Sequence, residues 1–429
     1  MPVSRASEPS QQHHPRWLKT NYPVSVDPTE ETMADSCEPL PAWPMPRSCP
    51  YAPPDEYAGL RKEPPLKVRI RGGEAWLVTR HADVRQVLND NRFSSDDQQP
   101  GFPIRIQLPP EPGVMSFSRM DDPEHGRLRR MAMTEFTARR TRALRPEVEL
   151  LVEQLLDELA AGPNPVDLVK SFALRLPSLV IARMLGVPED DEADFAEQSQ
   201  VILSQDASPE ETYAAFVEMS QFLDRLAAQR TADPQDDLIS RLATRYVAAG
   251  ELTHQELVAM ARFFLVAGHE TTAHQISLSV LSLLRDPDQL AELRADPALF
   301  KPAVEELLRY WSISQDNQVR AAVADVELGG ARIRKGDGVI VAIPGANHDE
   351  SVYPDAGRLD IHRNAAGHLA FGFGAHLCPG ASLARMELEV CLSGLFARFP
   401  TLRLAVPSED IRFRQNTIVY GLEDLPVTW

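Results

Sequence analysis

The feature that most constrains the fold is the proline-free stretch 253–286. It opens with Thr253-His254-Gln255-Glu256, which has the form of a capping box. In that motif the threonine oxygen and the glutamate carboxylate satisfy each other's backbone N–H groups at a helix start. No proline follows until Pro287, so the helix is expected to run for about 32 residues, or about 48 Å. Its centre, Phe263-Phe264-Leu265-Val266-Ala267, is apolar on every side. A helix without a polar face must be enclosed by other elements. At 429 residues the chain could be two or three domains or one large one.

The middle of this helix breaks the rules of a packed interior. Ala267-Gly268-His269-Glu270-Thr271-Thr272 sets a glycine, a carboxylate and two hydroxyls into the apolar run. Glycine inside a helix costs about 1 kcal/mol against alanine, and buried polar groups cost more unless partnered. Several violations at one place mark a position where function overrides packing. The plain alternative is a kink with Thr271 bonding back to the Ala267 carbonyl, which threonine does readily. The two readings are compatible, because a kink opens a groove beside Ala267 and Gly268 where a diatomic ligand could sit.

A second unusual stretch is Phe371-Gly372-Phe373-Gly374-Ala375-His376-Leu377-Cys378-Pro379-Gly380, followed at once by the helix-forming run 381–389. Cys378 is expected on a tight loop entering a helix N-terminus, where amides and the helix dipole favour a thiolate over a thiol. Such a thiolate suits a soft metal, haem iron among the candidates. Three plainer readings compete. A free cysteine is commonly a small buried hydrophobe. Gly372 and Gly374 begin a G-x-G-x-x-G phosphate loop, but Leu377 stands at the third glycine. His376 and Cys378 have no second Cys or His pair at zinc spacing. Pro379 lacks an N–H, so the amides of Leu377 and Gly380 are the expected donors to the sulfur.

The net charge of -18 argues against bulk binding to nucleic acid or an anionic membrane. No run of 18 apolar residues marks a membrane span, and the first twenty residues lack the apolar core of a signal peptide. A cytoplasmic protein is expected. Cys37, Cys49, Cys378 and Cys391 do not make a disulfide framework. The first 32 residues are polar and aperiodic, His13-His14 is too small a cluster for a metal site, and Met33 is a second plausible start. Seven prolines between Pro39 and Pro54 favour an extended arm lying on the domain. Val68-Arg69-Ile70 and Ala75-Trp76-Leu77-Val78 read as a hairpin, followed by a short helix over 81–88. Residues 90–120 have no clear period. Amphipathic helices are expected over 148–159 and 174–185, with more helix in 190–250 and a β-rich zone over 319–344.

Several motifs, in order, now carry a resemblance. Phe371, Gly374, His376, Cys378 and Gly380 fit F-x-x-G-x-[HR]-x-C-x-G, and residues 267–272 fit A-G-x-[DE]-T-[ST]. Glu306 and Arg309 form an E-x-x-R between them, and Asp122-Pro123-Glu124-His125-Gly126-Arg127-Leu128-Arg129-Arg130 precedes them all. From about residue 45 to the end the chain resembles the cytochrome P-450 superfamily, the haem-thiolate monooxygenases. The resemblance implies one mainly α domain over 46–429 with a small β-rich side. Haem would lie between the long central helix and the helix after the cysteine loop. Residues 1–45 would be a disordered or proline-rich extension.

It also implies roles. Cys378 would be the axial ligand of haem b, its electron donation favouring O–O cleavage. His125, Arg129, Arg320 and His376 would bind the haem propionates, with Phe371, Ala267 and Gly268 also at the cofactor. Glu270 would relay protons to iron-bound dioxygen and Thr271 would organise the distal water. A buried carboxylate with a raised pKa suits that task. Glu306, Arg309 and Arg358 would form a buried structural ion-pair network.

The function implied is hydroxylation or epoxidation of an apolar small molecule by O2, a natural product or xenobiotic. Electrons would come from a ferredoxin, because no flavin or nicotinamide segment is present. Arg127, Arg129, Arg130, Arg139, Arg140, Arg142 and Arg145 stand against Glu135 alone and offer an acidic partner a surface. Surface arginines without a partner are the plain alternative. A monomer is the default. Expected substrate walls are 90–120, 264–268, 312–318 and Thr417-Ile418. The rivals are a nitric-oxide reductase on the same fold, whose relatives lack the acid at Glu270, a fatty-acid peroxygenase, and a non-catalytic haem sensor or carrier-binding module.

Overall fold

The capping box forms as expected. Thr253 accepts from the Glu256 N–H and the Glu256 carboxylate accepts from the Thr253 N–H, and the helix they open runs unbroken over His254–Arg285. The computed structural model describes residues 40–429 apart from 71, 104–116, 193, 195–197, 199–200, 202–207, 316–317 and 415–417. The expectations about His13-His14, Met33 and Cys37 lie outside the described residues.

In chain order the helices are α1 Glu56–Leu60, α2 His81–Asn89, α3 Glu124–Met133, α4 Ala138–Ala161, α5 Arg175–Leu185, α6 Pro209–Ala232, α7 Leu238–Leu242, α8 His254–Arg285, α9 Pro287–Ala295, α10 Phe300–Trp311, α11 Ile343–Asn347 and α12 Ala381–Arg398. The central helix α8 is packed by α5, α6, α10 and α12, and α4 lies against α12. One large apolar cluster joins these helices and includes Leu155, Phe172, Leu176, Leu265, Ile276, Leu283, Leu307 and Phe396. Helix α4 starts ten residues before the periodic segment 148–159, with Pro146 in its interior. Thr137 caps it by accepting from the Arg140 N–H. Helix α5 closes on Gly186, whose φ of 82° is left-handed.

The β-rich side is built on a five-stranded mixed sheet of β1 Leu66–Ile70, β2 Gly73–Val78, β3 Phe93–Ser94, β4 Val319–Ala322 and β5 Gly338–Val341, in the order β1-β2-β5-β4-β3, and smaller three-stranded and two-stranded sheets accompany it among the described residues. The expected hairpin pairs Leu66 with Leu77 and Val68 with Ala75. The proline-rich arm lies on this sheet. Trp43 N–H donates to Arg69 O at 2.9 Å, Arg69 N–H donates to Pro41 O at 2.8 Å, and Trp43 and Met45 are buried. The compact unit starts at Leu40, so residues 40–45 pack with the domain.

The buried ion-pair network needs one correction. Glu306 and Arg309, both fully enclosed, pair through Nε–Oε2 at 2.7 Å and Nη2–Oε1 at 2.8 Å. The third member is Arg363, whose Nε lies 3.1 Å from Glu306 Oε1. Arg358 instead pairs with Asp360 at the surface, its side chain 72% exposed. The loop 353–363 turns Arg358 outward and contributes its carbonyl to Arg363. Removing one partner of a buried pair typically costs about 3–5 kcal/mol. Urea unfolding should therefore show a loss of that size for Arg309→Met, a smaller loss for Arg363→Met, and an unchanged midpoint for Arg358→Met.

Candidate active site

Helix α8 is uncovered at its centre along one strip. Ala267 is exposed and Gly268 and Thr271 half-exposed, while His269, Glu270 and Thr272 are buried on the other sides. Thr271 Oγ1 donates to Ala267 O at 2.8 Å, the expected back-bond. A Cβ added at Gly268 would meet only Ile181, at 3.5 Å. No neighbour demands glycine there, so its advantage is a low surface on the open strip. Of the expected walls, Phe264 and Ser312 are buried in the core, whereas 104–116, 316–317 and 417 lie outside the described residues.

The cysteine loop is set by backbone constraint. Gly372 and Gly374 have φ of 73° and 72°, and a Cβ at Gly374 would lie 2.5 Å from Leu88 O. The Cys378 N–H donates to Phe371 O at 2.9 Å, closing the loop. Leu377 spends its N–H on Gly374 O, so it is not a donor to the sulfur. Gly380 and Ala381 are the amides that act on Cys378. Burial pushes the Cys378 thiol up, opposed by Gly380 and by the charges of Arg129 and Arg385. The loop alone therefore does not favour the thiolate. A bound metal removes the proton outright.

A cluster of arginines and histidines comes together from distant parts of the chain. His125 stacks on His376 with ring centroids 4.0 Å apart. Burial, then Arg320, His125, Arg129 and Arg119, holds His376 down at about 3. Burial and Arg119 bring Arg320 down to about 10. Burial, then Arg129, lowers His125, whose Nε2 is buried with no partner among the described residues. Arg129 donates to Leu377 O, tying α3 to the cysteine loop. Crowding buried cations is unfavourable unless an anion neutralises them. The set fits a group with carboxylates at one edge and a thiolate-seeking metal at its centre, and haem is such a group. Sequence reasoning found four of the five groups and missed Arg119, which lies in the short turn Phe117–Arg119 with no motif around it.

Two further networks were not visible in the sequence. Arg414 Nη1 reaches both Glu270 Oε1, at 3.2 Å, and His274 Nε2, at 2.6 Å. Burial raises the Glu270 pKa and Arg414 opposes it. On the cysteine-loop side Glu305 takes Arg385 Nε at 2.6 Å and His368 Nε2 at 3.1 Å, and Arg385 lies 4.5 Å over the Phe371 ring. Among the described residues no group of three His, Cys, Asp or Glu side chains converges as a metal site, which leaves a single sulfur ligand as the donor the loop offers. Nor is any described helix long and apolar enough to cross a membrane.

A protein built this way is, by class, a haem oxidoreductase. A sequence model of the cytochrome P-450 family matches residues 60–419. The chain is 47% identical over 396 residues to vitamin D3 dihydroxylase of Streptomyces griseolus, covering 91% of this chain and 97% of that protein. It is 42% identical over 392 residues to pentalenic acid synthase of Streptomyces avermitilis, covering 91% and 97% in the same sense for the first and 90% and 97% for the second. Among solved structures, that of mycinamicin VIII C21 methyl hydroxylase from Micromonospora griseorubida bound to mycinamicin VIII superposes with a TM-score of 0.86 at 41% identity, covering 91% of this chain and all of that one. The chain belongs to the cytochrome P-450 family. It is a monooxygenase that carries haem b with a cysteine thiolate as axial ligand.

The Glu305 cluster yields a pH prediction. Arg385 and His368 outweigh burial and hold the Glu305 carboxyl down at about 2. A depressed carboxyl stabilises the fold above its unfolded pKa and loses that contribution as pH falls through the folded value. Glu305→Gln should thus cost about 1–2 kcal/mol at pH 7, after allowance for solvent screening. The difference from wild type should shrink as pH drops from about 4.5 toward 2. Chemical denaturation at pH 7 and pH 3 measures it.

Proposed function

We propose that Cys378 is the thiolate ligand of the haem iron and that the protein oxygenates a bulky apolar molecule, a natural product or xenobiotic. The observation that carries the reading is the pairing of the Cys378 loop with a buried cation cluster that needs an anion. When bound, haem supplies the iron at which dioxygen is activated. The chain supplies the rest. Arg119, Arg129, Arg320, His125 and His376 hold the carboxylate edge, and Phe371, Ala267 and Gly268 line the flat faces. Glu270 passes protons inward from solvent and Thr271 holds the water that receives them. The substrate class rests on relatives named for vitamin D3, pentalenic acid and mycinamicin VIII, and on the uncovered apolar strip around Ala267.

Electrons come from a ferredoxin, and the protein works as a cytoplasmic monomer. The basic segment supports an acidic redox partner with a smaller set of charges than the sequence suggested. Arg127 is paired with Glu256, Arg140 with Glu135, and Arg145 with Glu149 and Glu389. Arg130, Arg139 and Arg142 are exposed, and they are the charges left for docking. The retained acid Glu270 favours oxygenation over nitric-oxide reduction on the same fold, and the Glu270–Thr271 pair favours turnover over sensing or carrier binding.

The deciding experiment is the carbon-monoxide difference spectrum of the reduced protein. Wild type should show the strongly red-shifted Soret band of a thiolate-ligated haem, and Cys378→Ala should lose it. An ordinary histidine-type band in wild type would end the proposal. Reversing Arg130, Arg139 and Arg142 to Glu should leave that spectrum intact and raise KM for ferredoxin by about tenfold at low salt, with a flatter salt dependence.

A further inference from the structure

The Glu270 carboxylate is 7% exposed and has a partner that no motif announces. Arg414 lies on the C-terminal segment, where its N–H donates to Gly421 O at 3.0 Å and Phe413 bridges to Leu422. Its guanidinium enters the interior and one nitrogen meets two acceptors, Glu270 Oε1 at 3.2 Å and His274 Nε2 at 2.6 Å. Glu270 and His274 are one turn apart on α8, hence on one face. Arginine only donates, so His274 must accept at Nε2 and is neutral. Burial agrees, holding His274 down at about 3. A Cβ at Gly421 would lie 2.1 Å from His274 Nδ1. The imidazole is therefore seated directly against the C-terminal backbone, at a spot only glycine leaves open.

A carboxylate that relays protons must let go of its counter-ion in each cycle. A buried guanidinium abandoned in this way would be costly. The second acceptor reduces that cost, because Arg414 keeps a hydrogen bond to His274 whichever way Glu270 turns.

We propose that Arg414 is a positioning residue for Glu270: it holds the carboxylate ionised at rest, and His274 retains the guanidinium when Glu270 turns away to carry a proton. The proposal rests on the monooxygenase reading for its purpose, and on geometry for the contact itself. Among the described residues the charged group that acts on Glu270 is Arg414 on the C-terminal segment; His274, one turn along α8, is acted on by Arg414 and by His269.

The test reads Glu270 directly. Isotope-edited infrared spectra of the ferric holoenzyme, with Glu270→Gln as the subtraction that assigns the band, are taken at pH 7 for wild type, Arg414→Met and Arg414→Lys. Wild type should give an ionised carboxylate. Arg414→Met should move most of the band to the protonated carboxyl region, and Arg414→Lys should restore most of the carboxylate. Arg414→Gln serves in place of Met if that variant fails to fold. An ionised Glu270 in the charge-free variant, or no rescue by lysine, overturns the proposal, since packing alone would then explain the contact. The carbon-monoxide spectrum of the same samples separates the two readings. A missing red-shifted band in wild type would remove the haem-thiolate assignment while the infrared result still decides the role of Arg414.

Discussion

The buried guanidinium of Arg309 is the interaction on which the placement of the cysteine loop depends. One edge is neutralised by Glu306, and Nη1 is shared between the carbonyls of Asn347, at 2.8 Å, and Ala356, at 3.0 Å. Asn347 is thereby fixed, and its side chain passes the constraint on. Its Nδ2 donates to Ser312 Oγ at 2.7 Å, and its Oδ1 accepts from the Leu369 N–H at 2.7 Å. Leu369 in turn accepts at its carbonyl from Gly372, the first turn of the cysteine loop. Three hydrogen-bonded steps, Arg309 to Asn347, Asn347 to Leu369 and Leu369 to Gly372, thus connect α10 to the backbone that carries Cys378. A buried ion pair is weak evidence for stability in itself. Here its value is positional, because Nη1 of Arg309 and Oε1 of Glu306 are used to fix other segments of the chain.

Much of this was legible in the sequence, for reasons that can be named. The long helix was readable because its start is local chemistry, Thr253 with Glu256, and its end is a proline. The cysteine loop was readable because Gly372 and Gly374 occupy backbone conformations that few other residues tolerate. Glu306 and Arg309 were found because they are three apart on one helix. Arg358 was chosen over Arg363 because nothing local separates two arginines five apart in an irregular loop, and the choice is made by which one the turn directs inward. Arg119, Arg414 and Arg385 were missed for a related reason. Each acts through a partner more than sixty residues away or through a cluster assembled from several elements, and no spacing rule reports such contacts. The start of α4 was missed because Pro146 reads as a breaker, although the capped segment before it is helical.

One physical effect runs through the whole site. Burial is the first cause acting on Cys378 and Glu270, which it raises, and on His125, His376, Arg119, Arg129 and Arg320, which it lowers. In every case burial by itself pushes the group toward its neutral form, and at Cys378 and Glu270 neighbouring donors and charges oppose it. A low-dielectric site assembled from charged side chains is therefore incomplete without compensating charge. Under the proposed assignment haem would bring carboxylates to the arginines, which keep their charge throughout, and a metal to the sulfur.

Glu270 stands apart from that compensation. It lies on the buried side of α8, next to the open strip rather than in it, and its counter-charge comes from the protein itself, through Arg414. A permanent, close counter-charge would hold it ionised and idle, and no counter-charge would leave it a weak acid. The arrangement found is between these limits. Arg414 is near enough at 3.2 Å to oppose burial, yet its shorter contact, 2.6 Å, is to the neutral His274. The shorter contact falls on the neutral residue and the longer one on the carboxylate. The position of Gly421 then acquires a reason that the C-terminal sequence does not display: any side chain there would collide with the His274 ring that accepts from Arg414.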